Sequence, residues 1–261
     1  MAKAAFITGG ASGIGQAVAK DLAARGWRVG LADVNATGLE ATKKMLPEGM
    51  AATYVMDVRK RDDWAKALAE FAEFSGGQLD FLFNNAGIAV AGELGTMSDS
   101  EIDRGLDINI NGMIYGAKAA HDLLAATPGS AMILTSSAAG IAGNAGMSIY
   151  CAGKFAMRGF AESLNAEWAP EGIYVGSLMP SFIETPLLDF VGQDSNRSAR
   201  ESVRGAGLEI TPVEEVVKTV WGILQSRKAV HTRVGKTAHR LWFMARWMPG
   251  TLRKMTSRQF K

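Results

Sequence analysis

Along the first two thirds of the chain, short uninterrupted apolar runs alternate with longer stretches in which apolar residues return every third or fourth position. The first run, 4–8, ends in a glycine cluster, and Ile14, Val18 and Leu22 then follow at helical spacing until Gly26 stops the pattern. That is a strand, a tight turn and a helix. The same alternation predicts strands at 29–33, 52–57 and 79–84, with helices at 39–46 and 64–74 between them. Further on it predicts a long helix over 102–124, a strand at 131–135, a helix over 149–168 and a strand at 173–178. Right-handed crossovers between parallel strands place helices on both faces of one sheet. The expected fold is α/β, a doubly wound parallel sheet of Rossmann-like type.

No Pro/Ser-rich linker and no repeat at solenoid period interrupts the 261 residues, so one domain over 1–235 followed by a tail, 236–261, is the simplest partition. From 184 to 208 the chain turns irregular and rich in Ser, Arg and Gly. A connection of that length inside a compact fold reads as a substrate lid, drawn over 184–210. The 48% hydrophobic content, with 30 glycines and 7 prolines, excludes a disordered or fibrous chain. The single cysteine, Cys151, cannot form an internal disulfide and fits a reducing compartment. The strand entered at Ala4 lacks the basic flank and cleavage site of a secretory signal, and no run reaches the ~18 apolar residues of a spanning helix. A cytoplasmic location is expected.

The formal net charge of +2 hides an asymmetry. Seven of the 28 Lys and Arg, and none of the 26 Asp and Glu, fall in 236–261, so residues 1–235 carry 21 basic against 26 acidic groups, a net of −5. The body is acidic and the tail is basic. In the tail Leu241, Ala245, Met248, Leu252 and Met255 are three or four apart, Trp242 and Trp247 add amphipathic rings, and Pro249-Gly250 interrupts the helix. Two readings stay open for this basic amphipathic element: a helix packed over the pocket or onto a neighbouring subunit, and a peripheral contact with an anionic membrane. An acidic body argues against nucleic acid.

Gly9, Gly13 and Gly15 stand directly between a strand and a helix, with Ser12 and Ile14 in the same turn. Missing side chains let backbone amides approach a pyrophosphate, and the helix amino end adds a favourable dipole. Phosphoryl transfer is excluded, because Gln16 and Ala17 occupy the places where that chemistry needs Lys and Ser or Thr. Asp33 ends the second strand 18 residues beyond Gly15, where a carboxylate can hold ribose hydroxyls and repel a 2′-phosphate. That favours NAD over NADP. The plainer alternative is a turn opened by Asp33 with Asn35. Asp57, followed by Val58, closes the third strand and is a candidate for the adenine end, with a turn role as its alternative.

Tyr150 and Lys154 lie one helical turn apart on one face. A free tyrosine, with a pKa near ~10, is a poor base at neutral pH. A neighbouring ammonium, together with oxidised nicotinamide, is expected to draw that pKa down. No GxSxG elbow surrounds Ser136, and the three histidines, His121, His231 and His239, form no metal-ligand pattern; no metal is expected.

With these residues in place the chain resembles the short-chain dehydrogenase/reductase family over roughly 4–235. The motifs that carry the resemblance are Thr8-Gly9-Gly10-Ala11-Ser12-Gly13-Ile14-Gly15, Asn84-Asn85-Ala86-Gly87, Asn109-Ile110-Asn111-Gly112, Ser137, and Tyr150-Cys151-Ala152-Gly153-Lys154. The resemblance implies a catalytic set of Asn109, Ser137, Tyr150 and Lys154, with Asn109 holding a water that relays protons from Lys154. It implies that Asn85, Ala86, Gly87, Pro180, Ile183 and Thr185 join Tyr150 and Lys154 around NAD. It also implies a homodimer or homotetramer. One departure is Ser181, where the family usually places glycine after the proline. Around the substrate, the uncharged stretch 138–147, which includes Ala139, Ile141, Ala142, Asn144 and Met147, and the side chains of Phe182, Leu187 and Leu188 join Ser137 in a wall without charge, which suits a bulky hydrophobic secondary alcohol or ketone. Two other readings remain, an NAD-binding sensor or scaffold without turnover and a same-fold epimerase or dehydratase.

Overall fold

The structure, a computed structural model, describes residues 2–192 and 195–258. Residues 193 and 194 of the expected lid and 259–261 of the expected tail lie outside the described residues. Seven strands are β1 (Ala4–Thr8), β2 (Arg28–Asp33), β3 (Ala51–Val55), β4 (Phe81–Asn84), β5 (Ala131–Thr135), β6 (Tyr174–Pro180) and β7 (His231–Val234). They form one parallel sheet in the order β3-β2-β1-β4-β5-β6-β7. The chain therefore builds outward from β1 to β3, then returns to the other side of β1. The crevice where β1 and β4 diverge, beyond Thr8 and Asn84, is where such sheets bind ligands.

Period-two alternation in β1 divides the core between the two faces. Ala5 and Ile7 point to one side, where Val18 and Leu22 of α1 (Gly13–Ala24) and Val216 and Val220 of α8 (Val213–Ser226) pack. Ala4 and Phe6 point to the other. There they meet Trp64 and Phe71 of α3 (Arg61–Ser75), Met113 and Ala117 of α5 (Gly112–Ala125), and Met157 and Ala161 of α6 (Ser148–Trp168). Phe6 and Phe71 meet edge to face at 5.3 Å between centroids. Helix α2 (Ala36–Lys43) is capped by the Asn35 side chain, which accepts from Gly38 N at 3.0 Å.

Four findings amend the sequence reading. The single long helix is α4 (Asp99–Leu106), then one π-helical turn over Asp107–Asn111, then α5. Because the polypeptide stays helical throughout, composition carries no mark of the wider turn. The expected lid is not irregular throughout: a 3-10 turn, Pro186–Asp189, and α7 (Ala199–Gly205) occupy part of it. A capping box between Ser198 and Glu201 starts α7. The third finding is a pair of elements not anticipated at all, α8 and β7, although Val216, Val220, Ile223 and Leu224 form a helical stripe. Lastly, the tail forms α9 (Lys236–Trp247) and α10 (Pro249–Arg258), and its apolar side packs on Ala138, Ile141, Ala142 and Met179. The apolar character of 138–142, expected to line a pocket, is largely taken up by this contact.

Candidate active site

The glycine turn sits beyond β1 in the β1/β4 crevice. Gly9 and Gly13 have φ of +69° and +55°, a backbone region that side chains disfavour. At Gly15 a Cβ would lie 2.2 Å from Gly9 O and 2.8 Å from Gly9 C, so α1 can start this close to the strand only without a side chain there. Ser12 precedes α1 in extended conformation and is exposed, while Ile14 packs against the core. The cradle is fixed from below by Thr8, whose Oγ1 accepts from both Asn85 N and Ala86 N at 2.9 Å. Asn85 donates to Thr8 O at 3.0 Å and accepts from Thr135 Oγ1 at 3.1 Å, tying the ends of β1, β4 and β5 together. Gly13 lies beside Thr185, 3.4 Å from a virtual Cβ, so the turn and the segment after β6 face each other. This bare, amide-lined turn fits a dinucleotide.

Asp33 accepts from Ala11 N at 3.2 Å and from Asn35 N at 3.1 Å. It braces the glycine turn and opens the turn after β2 at once. Asp57 is engaged by Arg59 at 2.6 Å, and that guanidinium holds its carboxyl below the usual range. Val58 accepts from the Trp64 indole at 2.9 Å and abuts Gly112.

The expected catalytic residues come from three elements. Asn109 lies in the π turn, where its amide donates to Ile88 O and accepts from Ile88 N, both at 3.0 Å. Such turns, with one residue more than an α turn, recur at functional sites because they re-aim a side chain. Gly87 lets this amide and Lys154 approach, since a Cβ there would meet Asn109 Oδ1 at 2.9 Å and Lys154 Nζ at 3.3 Å. Lys154 is 3% exposed and donates to Thr135 O at 2.9 Å. Desolvation lowers its pKa to about 8. Its ammonium is 5.5 Å from the Tyr150 ring centroid.

Tyr150 keeps part of its surface open. Burial around its hydroxyl pushes the phenol pKa up, and a hydrogen bond with Ser137 works in the opposite direction. Among the protein's own groups desolvation therefore outweighs the charge effect expected of Lys154. Ser137 leaves β5 in extended conformation, with its Oγ accepting from Ala139 N at 3.1 Å and 3.5 Å from Pro180 O. Ser136 donates to Lys154 O at 2.6 Å and fastens α6 to the strand.

On the substrate side, Ala139 and Leu188 are buried, Asn144, Met147 and Phe182 are partly exposed, and Leu187 is exposed. Met147 N donates to Asn144 O at 3.2 Å, closing the loop before α6. Cys151 Sγ accepts from Asn144 N at 3.5 Å, and burial raises its pKa, which accords with packing. Ile183 is buried and pairs with Thr211, while Thr185 Oγ1 donates to Ile183 O at 3.2 Å.

Sequence reasoning named Thr8 only as part of the glycine motif, without its bracing role, and missed Thr135 and Arg200. Both threonine roles would have been found by asking which strand-end groups satisfy the Asn85 amide and the Lys154 ammonium. Arg200 of α7 pairs with Asp189 at 2.7 Å, pairs with Glu184, and donates to Thr185 O at 3.2 Å, clasping the segment after β6 to α7.

A family model described as short chain dehydrogenase matches residues 3–196. Among curated proteins, a cyclohexanol dehydrogenase of Acinetobacter sp. (strain SE19) is 36% identical over 194 residues, covering 71% of this chain and 75% of that protein. A diacetyl reductase, (S)-acetoin forming, of Staphylococcus aureus (strain Mu50 / ATCC 700699) is 33% identical over 193 residues, covering 72% and 74%. A solved levodione reductase superposes with a TM-score of 0.80 at 26% identity, over 89% of this chain and 96% of its own. A short chain dehydrogenase/reductase from Burkholderia phymatum in complex with NAD shares the fold, with a TM-score of 0.84 at 22% identity over 97% and 95%. Strand order, glycine turn, the Tyr150 and Lys154 pairing and these matches agree, and the chain belongs to the short-chain dehydrogenase/reductase family.

Proposed function

We propose that the protein is an NAD-dependent oxidoreductase that interconverts a hydrophobic, bulky secondary alcohol and its ketone. The observation that carries the reading is Tyr150, hydrogen-bonded to Ser137 and one turn from the buried Lys154, at the same strand ends as the glycine turn. The dinucleotide, when bound, supplies the acceptor or donor of hydride. Gly9, Gly13 and Gly15 leave room for its phosphates, Asp33 holds the adenosine ribose and disfavours a 2′-phosphate, and Thr185 with Ile183 lies where the turn faces the segment after β6.

Tyr150 moves the proton on the substrate oxygen. Its phenol, raised by burial, is protonated at neutral pH, the state that donates to a carbonyl oxygen; in the other direction it must lose that proton. Ser137 donates a hydrogen bond to the same oxygen and stabilises developing negative charge. Lys154, still largely cationic at neutral pH, lowers the cost of the phenolate. Asn109, fixed by Ile88, positions the water through which Lys154 exchanges protons with solvent.

The hydrophobic character of the substrate is supported by the uncharged side chains of Ala139, Met147, Phe182, Leu187 and Leu188, and the alcohol/ketone chemistry by relatives named for cyclohexanol and diacetyl. The test is Tyr150→Phe, assayed at NADH absorbance with a panel of apolar ketones and short polyols. Expected is loss of turnover on apolar ketones with NADH binding retained. Undiminished turnover in that variant refutes the assignment, and a preference for polyols refutes the substrate class.

A further inference from the structure

The outer side of the tail is the largest feature that the chemistry leaves unexplained. Helices α9 and α10 direct Ala238, Leu241, Met244, Ala245 and Leu252 inward, against Ala138, Ile141, Ala142 and Met179. The opposite side of α9 carries Lys236, Arg240, Phe243 and Trp247 at spacings of four, three and four, a single stripe, and all are exposed. Phe243 is 56% and Trp247 69% exposed, values unusual for rings of this size, and Met248 and Met255 after them are exposed as well. Arg246 lies over the Trp247 ring at 5.7 Å. No acid occurs from 236 to 261, while the rest of the chain has a net charge of −5. Glu209 of the body lies 3.8 Å from Lys236 of this stripe.

We infer that this outer side of α9 and α10 docks on an anionic phospholipid surface. Aromatic rings and methionines enter the headgroup boundary, and long basic side chains keep their charges at the phosphates. The element lies on the bilayer, because no helix among the described residues is long and apolar enough to cross one. A second copy is a poorer occupant for this stripe. An isologous contact would press the basic side chains of one acid-free tail against those of the other, whereas lipid phosphates complement them. The acidic body is repelled by the same surface, so the basic tail fixes which side of the molecule faces it. That side is the one whose inner face rests on the turn following Ser137, so docking brings the lipid boundary next to the proposed site for hydrophobic substrate. The docking itself does not depend on the proposed reaction.

The test is flotation of the intact protein, without substrate, with phosphatidylcholine vesicles and with phosphatidylcholine/phosphatidylserine vesicles. Expected is co-flotation with the anionic vesicles alone, reversed by added salt. Each basic residue at such a surface contributes about fivefold to partitioning, so Arg240→Gln with Arg246→Gln lowers it roughly 20- to 30-fold. Phe243→Ser with Trp247→Ser abolishes it, while far-UV circular dichroism shows both double variants folded. The inference is overturned if the intact chain does not float, or if binding survives both pairs of substitutions. It is equally overturned if the substitutions instead abolish a lipid-independent self-association. Should a variant not fold, the lipid and salt dependence of the intact chain decides alone.

Discussion

Replacing Gly15 by alanine tests whether the turn is a cradle shaped by absent atoms. The new methyl would lie 2.2 Å from Gly9 O, 2.8 Å from Gly9 C and 3.1 Å from Asn85 Nδ2. Ordinary contact requires ~3.4 Å, so the first of these must open by about 1 Å in an interior without slack. Gly9 cannot yield easily, since β1 is hydrogen-bonded on both sides by β2 and β4. The start of α1 must move instead. Overpacking of this kind costs about 1–3 kcal/mol, which in a domain of this size lowers the melting temperature by roughly 2–10 °C. Displaced amides at the head of α1 should also weaken NADH binding by about tenfold or more, the equivalent of ~1.4 kcal/mol. Thermal denaturation and a fluorescence titration with NADH measure both. Gly222→Ala, at an exposed position within α8 with nothing within 4 Å, is the control and should gain about 0.5–1 kcal/mol. A Gly15→Ala protein that melts with the wild type and binds NADH equally would show that the close approach of turn and strand is unimportant.

Lys154→Met isolates a buried amine whose pKa, about 8, lies below its ordinary 10.5. The unfolded chain binds the extra proton between these values, so wild-type stability relative to the variant should rise as pH climbs from about 8 to 10.5, by at most ~3 kcal/mol. The cost of the buried cation is present in full below pH 8; denaturant titrations that differ by a constant across this window would contradict it. Arg200→Gln removes the clasp on Glu184, Asp189 and the Thr185 carbonyl. Limited proteolysis within 184–205 should then accelerate with little change in melting temperature, and unaltered cleavage would show that other contacts hold the segment.

Strands β1, β2, β4, β5 and β6 were legible because each is a nearly continuous apolar run, as burial on both faces demands, and β3, the other edge strand and only partly buried, because four of its five residues are still apolar. β7 was not: His231-Thr232-Arg233-Val234 is polar, lies at the sheet edge, and is only partly covered. The site was legible wherever a residue type is hard to replace, as at Gly15, Tyr150 and Lys154. It was illegible where an ordinary residue acts through the backbone. Thr135 serves Lys154 by its carbonyl and Ile88 serves Asn109 by its peptide, so neither side chain announces the role. The pKa balance at Tyr150 was misjudged because spacing reveals the neighbouring cation and says nothing of how much water is excluded. Ile141 and Ala142 were read as pocket wall because apolar composition does not distinguish a surface that meets substrate from one covered by a helix a hundred residues later.

The π turn at Asp107–Asn111 gives the helix on either side of it two separate phases. One residue is about 100° of rotation, so α4 and α5 cannot be treated as a single rod whose faces continue from end to end. Gly116, against Trp64, is oriented by the core, and Gly105, against Val90 and Ile149, by the loops above the site. The added residue is what lets both orientations be met at once. Excising one position between 107 and 111 would thus cost far more than the same excision in an exposed loop, because it would swing one end of the rod away from its neighbours while leaving its length almost unchanged.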